Sequence, residues 1–336
     1  MRILSGIQSS GKQHIGNYYG ALRQFVDLQN RGEALYFIAN LHALTTVRDP
    51  AQASALTRET AIAFLALGLD PRKAILFRQS DIPEVTELYW ILGTVVPLSN
   101  LDRAHSYKDK LARGIPADFG LFAYPVLMAA DILVYGSDLV PVGRDQVQHL
   151  EFARDWATKF NVTYVPGYEP ADPAGSKGGA PGILKLPEAL VQESTAVVPG
   201  TDGQKMSKSY NNTIDLFADD AEVRRRIMGI KTDSTPVEAP KPVDTPLHQL
   251  LKVMLPQSEF AAVDRTWREG GKGYGEFKKI LLAAFHATFD EARARHQALQ
   301  ADPGAVDSIL RAGAERARAL AAPVIDRVRA AVGIER

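Results

Sequence analysis

The sequence predicts an α/β fold in which a parallel sheet carries a helical insert and is followed by a C-terminal all-helical domain. Three observations predict it. Over the first 160 residues, short β-like runs alternate with helical patterns, as expected of a parallel sheet covered on both faces. Residues 81–118 break that rhythm with helical sequence. Beyond Ser209 one helical pattern follows another, rich in alanine, arginine and glutamate. The expected division is a sheet-bearing domain over 1–210, with its insert at about 81–118, and a helical domain over 211–336.

In chain order, 2–8 reads as the first strand, and 17–29 as a helix with Tyr18, Leu22, Phe25 and Val26 on one face. A strand at 34–39 follows, then a helix at 52–67 after Pro50, and a third strand at 74–78. The stretch 81–118 has Pro83 near a helix start and reads as an insert, with a further α/β crossover as the alternative. A fourth strand at 139–142 leads into a long helix at about 145–160. From 165 to 204 the prolines 166, 170, 173, 181, 187 and 199 favour loops and short edge strands. Helices are expected at 218–229, 246–255, 258–269, 274–300 and 305–332. There is no internal repeat and no low-complexity tail.

The chain has 336 residues, 46% hydrophobic and 23% charged, which supplies a sizeable core. Lysine plus arginine and aspartate plus glutamate both count 39, so bulk charge does not grip nucleic acid, although a local basic face remains open. The absence of cysteine excludes disulfides, Cys-ligated zinc and a thiol nucleophile. No signal-peptide core follows Met1, and the apolar run 119–130 ends at Asp131, short of the roughly 18 residues that span a bilayer. These features read as a soluble, cytoplasmic protein with no membrane partner.

The first strand runs into Ser5-Gly6-Ile7-Gln8-Ser9-Ser10-Gly11-Lys12-Gln13-His14-Ile15-Gly16-Asn17, which opens the first helix. A helix start with free N–H groups suits a phosphate. One reading is a P-loop, since Gly6-x4-Gly11-Lys12 fits seven positions, but Gln13 stands where a magnesium-binding hydroxyl is required. The other reading centres on His14, whose imidazole can donate to a phosphate under attack, with Gly16 leaving room for a nucleotide. Lys205-Met206-Ser207-Lys208-Ser209 lies about 190 residues on, in a glycine-bearing loop. Its two lysines and two serines can gather a polyphosphate, and such a loop can close as charge moves.

Together, and in this order, the two segments resemble the signatures of class I aminoacyl-tRNA synthetases, HIGH and KMSKS. Here they read HIGN, with Asn17 last, and KMSKS at all five positions. The whole chain is similar to the short subgroup that holds the tryptophan and tyrosine enzymes. The resemblance implies a Rossmann-like catalytic domain and a helical anticodon-binding domain. It also implies a two-step reaction: an amino acid attacks ATP to give an adenylate and pyrophosphate, and the amino acid then passes to the 3′ end of a tRNA. ATP is a substrate, and Mg2+ comes bound through it with few or no protein ligands.

By the same resemblance, His14, Lys205, Ser207 and Lys208 act on the phosphates. Gln8, Ser9, Ser10, Gly16, Asn17, Gly143, Arg144, Asp145, Ala196, Val197, Met206 and Ser209 complete the ATP site. Two departures stand out: many relatives have an acid at Arg144, and isoleucine and methionine where Thr195-Ala196-Val197-Val198 stands here. Lys108 and Lys110 are either surface residues or reach ATP on closure.

The segment Tyr124-Pro125-Val126-Leu127-Met128-Ala129-Ala130-Asp131 is apolar except for its aspartate. A buried carboxylate needs a partner, and an indole N–H, donor only, is one. The stretch looks like the specificity helix of the tryptophan-specific members. That likeness assigns Asp131, Met128, Tyr124, Gln146 and His42 to an L-tryptophan pocket. Tyrosine is the rival, because its hydroxyl also donates to a carboxylate. The implied partners are tRNA(Trp) and a second copy of the chain, the insert forming the dimer interface, with no DNA. Arg224, Arg225, Arg226, Arg311, Arg316, Arg318, Arg327 and Arg329 are candidate tRNA contacts or ordinary solvated helix charges. A relative that no longer charges tRNA and an unrelated P-loop ATPase remain as other classes.

Overall fold

The computed structural model describes residues 1–9, 11–102, 118–143, 146–191 and 198–335. Five strands form one parallel sheet: β1 (Arg2–Ile7), β2 (Glu33–Ile38), β3 (Ala74–Arg78), β4 (Leu139–Val142) and β5 (Glu188–Val191), in the order β3-β2-β1-β4-β5. The chain winds outward from β1 to β3, then returns to the other side of β1 for β4 and β5. That reversal opens a crevice at the carboxyl ends of β1 and β4, where nucleotides bind in doubly wound sheets. The inner strands are apolar on both faces because helices cover both. Ala34–Ile38 in β2 and Ala74–Phe77 in β3 are buried throughout.

Among the described residues, the helices before β4 are α1 (Ile15–Asn17), α2 (Arg23–Leu28), α3 (Asn40–Ala43), α4 (Pro50–Ala66), α5 (Pro83–Gly93), α6 (Leu98–Asp102) and α7 (Phe119–Leu133). A π-helical turn at Tyr18–Leu22 joins α1 to α2, so the predicted 17–29 helix starts earlier and is wound unevenly. Asp49 caps α4 by accepting from the Ala51 N–H, and Pro50 takes the first helical position. Of the expected insert, α5 and α6 are helical, and 103–117 lie outside the described residues.

After β4 come α8 (Val147–Tyr164), α9 (Asp220–Met228), α10 (Pro246–Met254), α11 (Gln257–Glu269), α12 (Tyr274–Ala301) and α13 (Pro303–Val332). Among the described residues the proline-rich stretch supplies one strand, β5, at the sheet edge. Buried Asn161 ties the connecting loop to α8: its Nδ2 donates to the Leu184 carbonyl at 2.8 Å and its Oδ1 accepts the Leu184 N–H at 3.0 Å.

The helical C-terminal half shares its core with the sheet. Phe277, Leu281, Phe285 and Phe289 of α12 join one apolar cluster with Tyr36, Ile38 and Phe64. Ala317, Ala321, Val324, Ile325 and Val328 of α13 join another with Leu35, Phe77 and Leu88. Helix α13 covers the outer edge of β3, closing an edge that would otherwise present unpaired backbone groups. Arg318 bonds Glu84 at 2.9 Å and Arg329 bonds Glu87 at 2.5 Å, both on α5. Arg316 donates to the carbonyls of Pro71 and Ala74. Three of the candidate tRNA arginines are thus held by groups of the sheet domain.

Candidate active site

Backbone pairing joins the two signature segments. His14 and Asp215 form an antiparallel bridge, Ile15 N–H donates to the Ile214 carbonyl at 3.0 Å, and Leu216 N–H donates to the Gln13 carbonyl at 2.9 Å. Gly16 N–H donates to the Met206 sulfur at 3.3 Å. A Cβ on Gly16 would stand 3.2 Å from the Met206 Cβ and 3.1 Å from His14 Nδ1. The glycine therefore admits the KMSKS methionine and the histidine ring, a role that spacing alone did not reveal.

His14 and Asn17 form a reciprocal capping box at the start of α1. His14 Nδ1 accepts the Asn17 N–H and Asn17 Oδ1 accepts the His14 N–H, each at 3.2 Å. With Nδ1 an acceptor, the neutral ring carries its proton on Nε2, which is left to donate. Burial, and then the Lys208 charge, push His14 down to about 4, so the ring is neutral at physiological pH.

A cavity of about 250 Å³ is lined by Gly11, Lys12, His14, Lys208 and Asp215. Burial lowers Lys208, against the pull of Asp215, and burial raises Asp215. Lys12 Nζ lies 3.9 Å from Asp215 Oδ2. Two lysines and a neutral imidazole are a donor set for a polyphosphate, with Asp215 as an acceptor beside the lysines. Among the described residues no three His, Asp or Glu side chains converge as metal ligands. Ser9 Oγ, at the carboxyl end of β1, is buried without a hydrogen-bond partner among the described residues, an orphan that a nucleotide would satisfy. Gln8 and Gly143 are exposed at the ends of β1 and β4. Ser10, Arg144, Asp145, Ala196, Val197, Lys108 and Lys110 lie outside the described residues.

The KMSKS loop is stapled from below by Asn212. Its Oδ1 accepts the Ser207 N–H at 2.8 Å, and its Nδ2 donates to Asp202 at 2.8 Å and to the Lys205 carbonyl at 3.2 Å. Arg226 holds the preceding residue, donating to the Asn211 carbonyl and Oδ1 at 2.7 and 2.8 Å. Lys205, Lys208 and Ser209 are exposed, whereas Met206 is buried.

The third cluster lies at the carboxyl ends of β2 and β3. Asp131, on α7, is only 1% exposed. Gln79 Nε2 donates to its two oxygens at 2.9 and 2.8 Å, and His42 Nε2 lies 2.9 Å from Oδ2. Burial raises the Asp131 carboxyl, and the His42 and Gln79 bonds oppose that rise. The sequence suggested an acid waiting for a ligand; the fold supplies it with two protein donors first. Tyr124, raised to about 12 by burial, meets His149 Nε2 at 3.1 Å and packs edge-on against the His42 ring. A cavity of about 360 Å³ opens at His42 and Tyr124, with Leu41, Ala123 and Leu127 in its wall. Met128 is half-buried against the apolar core, and Gln146 precedes α8 as its N-cap residue.

Gln79, His149, Asn212 and Asp215 escaped the sequence reading. Gln79 carried a signal, being a polar residue at the carboxyl end of an apolar parallel strand. The others act through contacts that only the folded chain creates.

A parallel sheet with a switch-point crevice, a histidine and two lysines around a phosphate-sized cavity, and a buried acid nearby together define a nucleotide-activating enzyme. The family model for class I tRNA synthetases (W and Y) matches residues 1–290, and the chain belongs to that family. It is 50% identical to the tryptophan–tRNA ligase of Rhodopirellula baltica, over 99% of this chain and all of that one. The solved tryptophanyl-tRNA synthetase of Campylobacter jejuni, complexed with ADP and tryptophan, superposes with a TM-score of 0.90 at 44% identity, covering 99% of this chain and 100% of that chain. The Mycoplasma pneumoniae tryptophanyl-tRNA synthetase gives 0.75 at 29% identity, covering 99% and 97%.

Proposed function

We propose that the chain is a tryptophan–tRNA ligase: it activates L-tryptophan with ATP to tryptophanyl-adenylate and pyrophosphate, then transfers tryptophan to the 3′ end of tRNA(Trp). The observation that carries the reading is the joining of the His14 and Lys208 segments around one cavity, with the Asp131 cluster at the same end of the sheet. Full-length likeness to tryptophan–tRNA ligases supports it.

The chemistry is positioning and electrostatics. The tryptophan carboxylate attacks the α-phosphorus and pyrophosphate leaves. His14 Nε2–H donates to a phosphate oxygen without titrating. Lys205, Lys208 and Ser207 neutralise the departing pyrophosphate. Gln8, Ser9, Ser10, Gly16, Asn17, Gly143, Arg144, Asp145, Ala196, Val197, Met206 and Ser209 enclose the nucleotide. Mg2+ bound through ATP would add charge neutralisation at those phosphates. Asp131 accepts the indole N–H, with Tyr124, Met128 and His42 around the ring and Gln146 at the amino acid's backbone.

Residues 1–210 act as the catalytic unit and 211–336 read the anticodon. Trp90, Leu98 and Phe119 expose 72, 70 and 73% of their surface on or beside the insert, and support a homodimer meeting there. The reaction takes place in the cytoplasm. Among the described residues no helix is long and apolar enough to cross a membrane. Aminoacylation assays with tRNA and either tryptophan or tyrosine test the reading. Charging with tryptophan alone is expected. Charging with tyrosine, or ATP hydrolysis independent of any amino acid, would overturn it.

A further inference from the structure

Gln79 follows directly on the last residue of β3 and opens a short turn, Gln79–Asp81. It is 1% exposed, and both ends of its amide are used. Oε1 accepts the backbone N–H groups of Leu41 at 3.0 Å and His42 at 3.4 Å. Only the amide oxygen can meet two backbone donors, so the chain itself fixes the amide orientation and turns Nε2 toward Asp131. There Nε2 reaches both carboxylate oxygens, at 2.9 and 2.8 Å. His42, whose backbone Gln79 holds, adds its Nε2 at 2.9 Å. One amide thus ties the end of β3 to α3 and to the acid on α7.

A carboxylate offers roughly four lone-pair directions. Gln79 and His42 make three contacts with it, which leaves capacity for about one more donor. Ionisation matters as much as direction. An ionised carboxylate only accepts and so rejects a ligand lacking a donor, whereas an isolated acid at this depth would pick up a proton and lose that discrimination.

We propose that Gln79 is the positioning residue for tryptophan selection: it locks Asp131 and His42 so that one remaining acceptor direction meets the indole N–H. The proposal rests on reading Asp131 as the indole acceptor.

The test compares tryptophan with β-(3-benzothienyl)alanine, a bicyclic isostere with sulfur in place of the N–H, in ATP–pyrophosphate exchange. In Gln79→Met, kcat/KM for tryptophan should fall roughly 10- to 100-fold, the worth of a hydrogen bond to a charged group. The isostere should change little, and so should the KM for ATP, because neither uses the aimed lone pair. Equal loss for both amino acids, or no loss for either, would mean that Gln79 merely supports the fold and would overturn the proposal. If Gln79→Met does not fold, Gln79→Glu gives the same readout. It keeps the oxygen that Leu41 and His42 need but turns an acceptor toward Asp131. Selective loss of tryptophan is again expected, and equal or absent loss overturns. Asp131→Asn, run alongside, separates the two levels. If it spares tryptophan, the acceptor reading fails and the proposal with it. If it penalises tryptophan selectively while Gln79→Met does not, only the assignment of Gln79 fails.

Discussion

Gly16 and Met206, 190 residues apart, meet through an N–H···S contact of 3.3 Å. The contact makes the third residue of the first signature motif and the second residue of the other parts of one object. Gly16 leaves no Cβ between the strands of contact, and Met206 fills the gap with a buried, polarizable side chain. The catalytic loop is therefore seated on the first helix by its methionine, while its lysines stay exposed.

Met206→Leu keeps the volume and removes the acceptor. Stability should fall by less than ~1.5 kcal/mol, as for other volume-conserving core changes. The functional loss should be larger and one-sided: kcat and the KM for ATP worsen while the KM for tryptophan holds. Steady-state pyrophosphate exchange decides this. Equal changes for both substrates would show that the contact only stabilises the fold.

Much of this was legible in the sequence, for physical reasons that can be traced to particular residues. β2 and β3 stand out because burial on both faces demands unbroken apolar runs, as in Ala74–Phe77. β5 is legible only as a short edge strand somewhere in the proline-rich stretch, because Glu188–Val191 is mostly exposed and its apolar run is just three residues long. The His14 and Lys208 motifs are legible because phosphate chemistry restricts residue types. What they do locally is not: the His14–Asn17 capping box and the Gly16–Met206 seat depend on backbone placement. Asp131 is visible as a lone acid in an apolar helix. Gln79 is not, and although the resemblance assigns His42 to the same pocket, its bond to the acid is not visible either, because the two come from other segments brought together by strand order.

His14 makes stability depend on pH. In the fold it titrates at about 4, against an ordinary value of 6.5. Between those values the unfolded chain binds the proton and the folded chain does not, so acid favours unfolding. The His14 contribution is complete above about 6.5 and is lost progressively as pH falls toward about 4. His14→Asn retains an N-cap acceptor but does not titrate. Urea midpoints for the variant should decline less steeply over that interval than for the native chain. Parallel curves would show that His14 is protonated as readily in the fold as out of it.

Asn212 gives the loop its resting shape. Asn212→Ala orphans the Ser207 N–H and removes the tie to Asp202, which should lower stability by ~1–3 kcal/mol. Lys205 and Ser207 would no longer be presented together, so kcat for adenylate formation should drop more than tenfold, a loss of ~1.4 kcal/mol or more in the transition state. Tryptophan binding, measured by equilibrium titration without ATP, should not move. A matching loss of tryptophan affinity would mean that the staple supports the whole site rather than its phosphate half.

Gly313 sets how closely α13 lies on the sheet. A Cβ at this position would stand 1.9 Å from the Leu76 carbonyl oxygen, backbone against backbone, with no flexible side chain to give way. Alanine is otherwise the better helix former, by ~1 kcal/mol. The two effects oppose each other, and the clash is the larger: relieving it requires α13 to withdraw from β3 along a buried seam that includes Ala314 and Ala317. Gly313→Ala should thus destabilise the chain by ~1–3 kcal/mol net, as overpacked cores do. Gly275, on α12, faces open space, and Gly275→Ala should stabilise by ~1 kcal/mol or less. Thermal melts of the pair separate packing from propensity. If both variants gained stability, α13 would not lie in close backbone contact with β3 at Gly313.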